Sequence, residues 1–204
     1  MYCLKHTMYY AIYKNVRNSS WKCLVDFGLD RLPIDVLQIT RSAGIRVIRN
    51  SLVHDLLPGE NGKSYYDGER WTIIYDDLNP VEVSRFTIAH ELGHIFLGHE
   101  LQHAKYAGVQ EIKEKPVSEN HANAFAIRLL CPACILWGLK LHTKEEIAHY
   151  CKVEPELAAA RSGRMRTLYK RNQFLSDPLE EELFDSFRPF IQNERPGDAE
   201  ANNF

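Results

Sequence analysis

The 204-residue sequence lacks an apolar run long enough to cross a membrane. Its longest charge-free apolar run covers residues 129–139, well short of the roughly 20 residues that a membrane-spanning helix needs. The N-terminus also lacks the pattern of a signal peptide, because Lys5, His6 and Lys14 interrupt its apolar residues. We therefore expect neither a membrane protein nor a secreted one.

Cysteine is scarce and charge is balanced. The 5 cysteines are an odd number scattered along the chain, which fits reduced thiols in a cytoplasmic protein better than a disulfide framework. The 25 Lys and Arg residues against 27 Asp and Glu give a formal net charge of -2, which gives no general attraction to nucleic acid or anionic membrane. With 45% hydrophobic residues the chain can bury a core, so we expect a cytoplasmic globular protein without membrane partners.

Helical patterns dominate the sequence, with a few short strands among them. Apolar spacing and breaking residues predict helices over residues 8–28, 33–42, 80–98, 118–130, 143–153 and 155–171, and a last one from 177 onwards. Strands are predicted at 45–48 and 71–75, and the glycine-containing segment 57–70 is predicted as a loop. Pro33 and Pro80 are predicted first helical residues, and Asn79, Ser118 and Thr143 are predicted N-caps. The class is α+β, mostly helical with a small sheet.

The predicted helix 80–98 carries a metal-binding pattern, His90-Glu91-x-x-His94. Histidines four apart lie about 40° apart around a helix, so both imidazoles can reach one ion. Zinc held by neutral imidazoles lowers the pKa of a bound water to about 7. A carboxylate beside that water, here Glu91, can take its proton and later pass it to a leaving amine. The pattern predicts a zinc peptidase with one zinc per chain and Glu91 as general base and acid.

The third metal ligand is predicted to come from another helix. A metzincin would place Gly and His three and six residues after His94, but Leu97 and Glu100 occupy those positions. The candidates on the helix 118–130 are Glu119 and His121. On a helical wheel the apolar face includes the direction of Glu119 and excludes that of His121 by a wide angle, which favours Glu119. Asn123, one turn further on, can hydrogen-bond a liganding imidazole.

Two segments resemble one family of metallopeptidases. They are FTIAHELGH at residues 86–94 and ExxANxFAxxLLxP at residues 119–132. This pattern is similar to the ImmA/IrrE family. The resemblance implies a compact α+β, zincin-like zinc endopeptidase with His90, His94 and Glu119 as ligands and Glu91 as the catalytic base. Two positions depart from the family pattern: His121 stands where members often have Glu, and Cys131 where Met is common.

The resemblance also implies a biological setting and a division of the chain. Members are encoded by bacteria and their phages or mobile elements and often cleave a helix-turn-helix transcriptional repressor, so the expected partner is a protein substrate of that kind. We expect a zinc peptidase domain at residues 1–140. A C-terminal helical extension is expected at 141–192, where a helix-turn-helix-like pair precedes a last helix. Residues 193–204 hold few apolar residues and are expected to form a disordered tail.

Two further patterns carry weaker functional signals. Cys131 and Cys134 form a CxxC at the end of a predicted helix, where ordinary packing is favoured over redox chemistry. Residues 161–173 are basic without an acidic residue, which most simply indicates a solvated helix surface. The alternative is that Arg164, Arg166 and Lys170 form a docking surface for a substrate protein. If this surface bound DNA instead, the chain could be a DNA- or protein-binding regulator with a structural metal site. That alternative requires a fourth protein ligand to complete the coordination of the zinc.

Overall fold

The fold is taken from a computed structural model, which describes residues 16–99, 115–172 and 174–194. The helices there are α1 (Val16–Asp26), α2 (Val36–Ser42), α3 (Asn50–Val53), α4 (Val81–Leu97), α5 (Lys115–Leu130), α6 (Ala133–Gly138), α7 (Lys144–Cys151), α8 (Pro155–Arg171) and α9 (Pro178–Glu194). The strands are β1 (Arg46–Arg49), β2 (Gly62–Tyr66) and β3 (Trp71–Tyr75). The predicted mostly helical α+β class is confirmed. None of these helices combines the length and apolar character needed to cross a bilayer.

The sheet is small and mixed, and it supports the central helix α4. The strand order is β1-β3-β2, with β1 parallel and β2 antiparallel to β3. The middle strand β3 is buried from Trp71 to Ile74, as an apolar strand covered on both faces should be. Helix α4 packs against β2 and β3 and also against α5. It therefore lies between the sheet and the helical part of the core.

Strand β2 lies within the segment predicted to be a loop. Gly62 and Lys63 have weak β propensity, so the local signal for a strand is limited to Tyr65 and Tyr66. The strand forms because β3 offers a partner, with Ser64 opposite Ile73 in the register. Gly62 also allows a close approach to α4, since a Cβ atom there would clash with the methyl group of Thr87. Pairing with β3 therefore determines that this segment forms a strand.

Three predicted helix starts are corrected. Helix α2 begins at Val36 rather than Pro33, because the Asp35 side chain caps it by accepting two backbone N–H groups. Helix α4 begins at Val81, with Pro80 at the N-cap and no side-chain cap. The Asn79 side chain instead donates to side-chain oxygens of nearby residues. Helix α5 begins at Lys115, so Ser118 lies inside it.

Several other predicted boundaries are confirmed. Gly98 ends α4 with φ +74°, and its N–H donates hydrogen bonds to carbonyl oxygens of the last turn. Thr143 forms a capping box with Glu146 at the start of α7, and Pro155 opens α8. Helices α7 and α8 pack together, while α9 packs against α1 and α6. The division at residue 140 stays a prediction. Asn193 and Glu194, which were predicted to belong to the disordered tail, are the last residues of helix α9, and residues 195–204 lie outside the described residues.

The cysteines within the described ranges are buried free thiols: Cys23, Cys131, Cys134 and Cys151. Burial raises the pKa of the Cys134 thiol far above its usual range. A thiol kept protonated in this way is a poor nucleophile and metal ligand. This environment agrees with the structural role expected for the CxxC.

Candidate metal centre

Helix α4 places two imidazoles on one face. His90 and His94 are one turn apart, and their Nε2 atoms are 2.9 Å from each other. His94 is buried and His90 is only 15% exposed in its side chain. The two nitrogens therefore point at the same small space inside the protein.

Helix α5 contributes a carboxylate to that space. The Oε2 atom of Glu119 lies 3.2 Å from Nε2 of His90. Its Oε1 atom lies 3.5 Å from Nε2 of His94. Within the described ranges, His90, His94 and Glu119 form a group whose ligand atoms all lie within 4.8 Å of one another. His121 does not belong to this group, and its side chain is exposed.

Close packing between α4 and α5 is what brings Glu119 to the histidines. A Cβ atom on Gly93 would lie 3.0 Å from Cα and 3.1 Å from the carbonyl oxygen of Ala122. Only a residue without a side chain at 93, facing a small residue at 122, allows this separation. Glu119 is one turn before Ala122. The small residues thus set the distance between the two sets of candidate ligands.

The Nδ1 atoms of both imidazoles have their own partners. The Nδ1 of His90 is 2.9 Å from Oδ1 of Asn123, and the Nδ1 of His94 is 3.0 Å from Nδ1 of buried His99. A hydrogen on each Nδ1 satisfies both contacts and leaves a lone pair on each Nε2. Two facing lone pairs repel each other unless a cation lies between them.

The donor set fits zinc. Two imidazoles and one carboxylate are the ligands of an open catalytic zinc site. Ligands held 2.0–2.1 Å from a tetrahedral zinc are about 3.3 Å apart. The distances of 2.9, 3.2 and 3.5 Å between the three donors are within a few tenths of an ångström of this value. His90, His94 and Glu119 can therefore hold one ion after only small movements.

The carboxylate of Glu91, which is not part of this ligand group, is hydrogen-bonded by a residue of the sheet. Glu91 is buried, and its Oε2 accepts a hydrogen bond of 2.7 Å from the hydroxyl of Ser64 on β2. A buried carboxylate needs such partners. Ser64 thus limits the directions in which the Glu91 carboxylate can point.

The sequence predicts five of the residues gathered here, Glu91 among them, but neither Ser64 nor His99. The structure brings together His90, His94 and Glu119, and it places Asn123 against His90 as expected. Ser64 could not be related to Glu91 because the local signal for strand β2 is limited to Tyr65 and Tyr66. His99 has a local signal, since it directly follows Gly98, the glycine that ends α4. The roles of all these residues as ligands or catalysts stay predictions.

The candidate docking residues lie elsewhere. Arg164, Arg166 and Lys170 are exposed on α8. They do not belong to the His90, His94 and Glu119 group. Arg166 and Lys170 are one turn apart, so their charges lie on one side of the helix.

The fold and site together define a class of protein. A helix with His-Glu-x-x-His, a carboxylate from a second helix and a small supporting sheet is the arrangement of a metallopeptidase. The family model described as the IrrE N-terminal-like domain of peptidase family M78 matches residues 40–162. The chain belongs to this family, the ImmA/IrrE family of metallopeptidases. Curated proteins give no match.

Proposed function

We propose that this chain is a zinc-dependent endopeptidase that cuts a regulatory protein at a specific site. The observation that carries the proposal is the convergence of two imidazole Nε2 atoms and the Glu119 carboxylate beside the buried Glu91. Family membership supports a divalent metal and peptidase chemistry. His90, His94 and Glu119 are the ligands in this proposal.

Zinc in this position would activate a water and polarise the carbonyl of the bond to be cut. Glu91 accepts the proton of the attacking water on a carboxylate oxygen and gives it to the nitrogen of the leaving amine. Ser64 holds the Glu91 carboxylate in place through its 2.7 Å hydrogen bond. Asn123 and His99 fix the orientation of the two imidazoles through Nδ1.

The proposed substrate is a helix-turn-helix repressor of a phage or mobile element, and the proposed compartment is the cytoplasm. In this proposal Arg164, Arg166 and Lys170 dock an acidic part of the substrate. Neutralising all three should raise KM for the protein substrate in a salt-dependent way and leave cleavage of a short peptide unchanged. Unchanged cleavage of the protein substrate would remove docking from the proposal.

The test starts with purified protein and a helix-turn-helix repressor encoded beside its gene. The wild-type chain should contain one zinc, and co-incubation should give new termini that mass spectrometry can map. The Glu91→Gln variant should keep zinc and lose cleavage by about 100-fold or more. The His90→Ala and His94→Ala variants should lose both zinc and cleavage. Stoichiometric zinc in both histidine variants, or full cleavage by Glu91→Gln, would contradict the proposal.

The second candidate function is a regulator with a structural metal. It would need a fourth protein ligand, but the group in the described ranges contains three residues. Three protein ligands leave one position for water, as in a catalytic site. Zinc binding together with sequence-specific DNA binding and no cleavage would favour the regulator.

A further inference from the structure

A cavity lined by several arginines lies beside α5, away from the proposed metal ligands. It has a volume of about 430 Å³ and is bordered by α1, α5, α8 and residues near the start of α9. Four arginines from three helices line it: Arg17, Arg128, Arg161 and Arg164. Glu180 also lines it, so four cationic side chains face one carboxyl group among the lining residues. The cavity therefore has a marked excess of positive charge.

The arginine charges have few anionic partners within the chain. Arg161 is only 7% exposed, and its Nε donates to the carbonyl oxygen of Cys131. Arg128 donates to the carbonyl oxygen of Ala124. In the described ranges, neither these two nor Arg164 has a carboxylate within ion-pair distance, whereas Arg17 pairs with Asp177. Neutral carbonyl oxygens do not compensate the charge of a buried guanidinium.

The positive charges of these arginines also repel one another. Burial lowers the pKa of Arg128, and repulsion from Arg161, Arg164 and Arg17 lowers it further. Burial lowers the pKa of Arg161, the nearby Cys131, Cys151 and Cys134 act in the opposite direction, and repulsion from Arg164 adds a smaller lowering effect. Guanidinium groups held close together around a cavity are stabilised by an anion placed among them.

Part of the remaining wall of the cavity is apolar. Trp21, Ile127 and Leu168 face the cavity, together with small alanines. A volume of about 430 Å³ is in the range of small-molecule sites. Guanidiniums that come from separate helices suit an anion with several oxygens and more than one charge, such as a phosphate, better than a single carboxylate.

We propose that this cavity binds a small phosphorylated molecule of about the size of a mononucleotide. Arg128, Arg161 and Arg164 bind its phosphate. Ile127 and Leu168 contact its less polar part. The wall also contains Asn120 and Asn123 of α5, which can donate amide hydrogens to phosphate oxygens.

Asn123 connects this cavity to the metal centre. It lines the cavity, and its Oδ1 is 2.9 Å from Nδ1 of His90. A ligand that contacts Asn123 therefore changes the hydrogen bond that orients a proposed zinc ligand. This regulatory link rests on the proposed function, whereas binding in the cavity does not.

Calorimetry on the metal-free full-length chain tests the cavity. Pyrophosphate and adenosine monophosphate should bind, and adenosine, which lacks the phosphate, should bind at least about 10-fold more weakly. Arg128→Gln and Arg164→Gln should each weaken adenosine monophosphate binding by about 10-fold. Arg166→Gln is the matched control, because Arg166 lies two residues from Arg164 on α8 but does not line the cavity. Circular dichroism establishes that the variants fold.

Two results would overturn the binding site. One is no heat from either phosphorylated probe at millimolar concentration. The other is equal weakening by Arg164→Gln and Arg166→Gln, which would indicate only a general effect of surface charge.

The link to the metal is tested by zinc affinity, measured by chelator competition with and without adenosine monophosphate. We expect a change of about fivefold that disappears in Arg164→Gln. An unchanged affinity would overturn the link. If the chain bound no zinc at all, the proposed function would fail, and calorimetry on the metal-free chain would still decide the cavity.

Discussion

Ser64 on strand β2 donates a 2.7 Å hydrogen bond to Oε2 of Glu91 on helix α4. The two residues are 27 positions apart in the chain, and they meet because β2 pairs with β3 and lies against α4. Gly62, two residues before Ser64, allows that close approach. The sheet therefore helps to orient the proposed general base.

Replacing Ser64 by Ala should reduce kcat/KM by about 10- to 100-fold, because the Glu91 carboxylate loses the donor that orients it. Zinc content should stay at one per chain, since the Ser64 hydroxyl donates to Glu91, which is not one of the proposed ligands. Ser51→Ala is the matched control, because it removes a serine hydrogen bond to Asp77 on the exposed surface. Equal activity of the Ser64 and Ser51 variants would show that Ser64 does not position Glu91.

Replacing Gly93 by Ala should disturb the metal centre through packing. The new Cβ would lie 3.0 Å from Cα of Ala122, so α5 must shift and carry Glu119 away from the histidines. We expect a loss of about 1–3 kcal/mol in the free energy of unfolding together with weaker zinc binding. Denaturant titration and chelator competition measure the two effects.

Gly163→Ala on α8 is the control for Gly93→Ala. The nearest atom to its new Cβ, Nη2 of Arg166, is 3.6 Å away, which is an ordinary contact. Because Ala favours a helix over Gly, this variant should be stabilised by about 0.5–1 kcal/mol. If Gly93→Ala were also stabilised, the close contact between α4 and α5 would not determine the distances between the proposed ligands.

Glu119→Gln should weaken zinc binding far more than His121→Ala. The Glu119 carboxylate is 3.2 Å from Nε2 of His90, whereas His121 is exposed outside the group. Chelator competition ranks the two variants. The reverse ranking would transfer the ligand role to His121.

Replacing His99 by Phe should lower zinc affinity by about 10-fold or more, because His94 loses the partner of its Nδ1. Phe keeps a ring of similar size at this buried position, so the fold should survive. Titration with a zinc chelator measures the affinity, and circular dichroism checks the fold. Unchanged affinity would mean that the contact between His99 and His94 is packing only.

Much of the site could be predicted because its determinants are local. His90, Glu91 and His94 share one helix, and the helical repeat alone brings the two imidazoles to the same side. The wheel position of Glu119 among apolar neighbours pointed to the same group, and the structure brings it there. The ends of α4 and α5 and the capping box of α7 followed from glycine, proline and threonine at definite positions.

The sequence could not predict contacts that depend on distant partners. Strand β2 is stabilised by its pairing with β3, so Ser64 could not be related to Glu91 in advance. The arginine-lined cavity also requires α1, α5 and α8 to be packed. The contact between His99 and His94 is local by comparison, because it depends on how the chain turns at Gly98.

The sequence by itself determined the helical periodicity, the metal-binding motif and the family resemblance, because each depends on residues close together in the chain. Only the tertiary structure decided which side chain supports Glu91 and which charges meet around the cavity. The physical reason is that such contacts form between elements far apart in sequence. Their distances are fixed by packing, as at Gly93 and Ala122, rather than by local conformational preference.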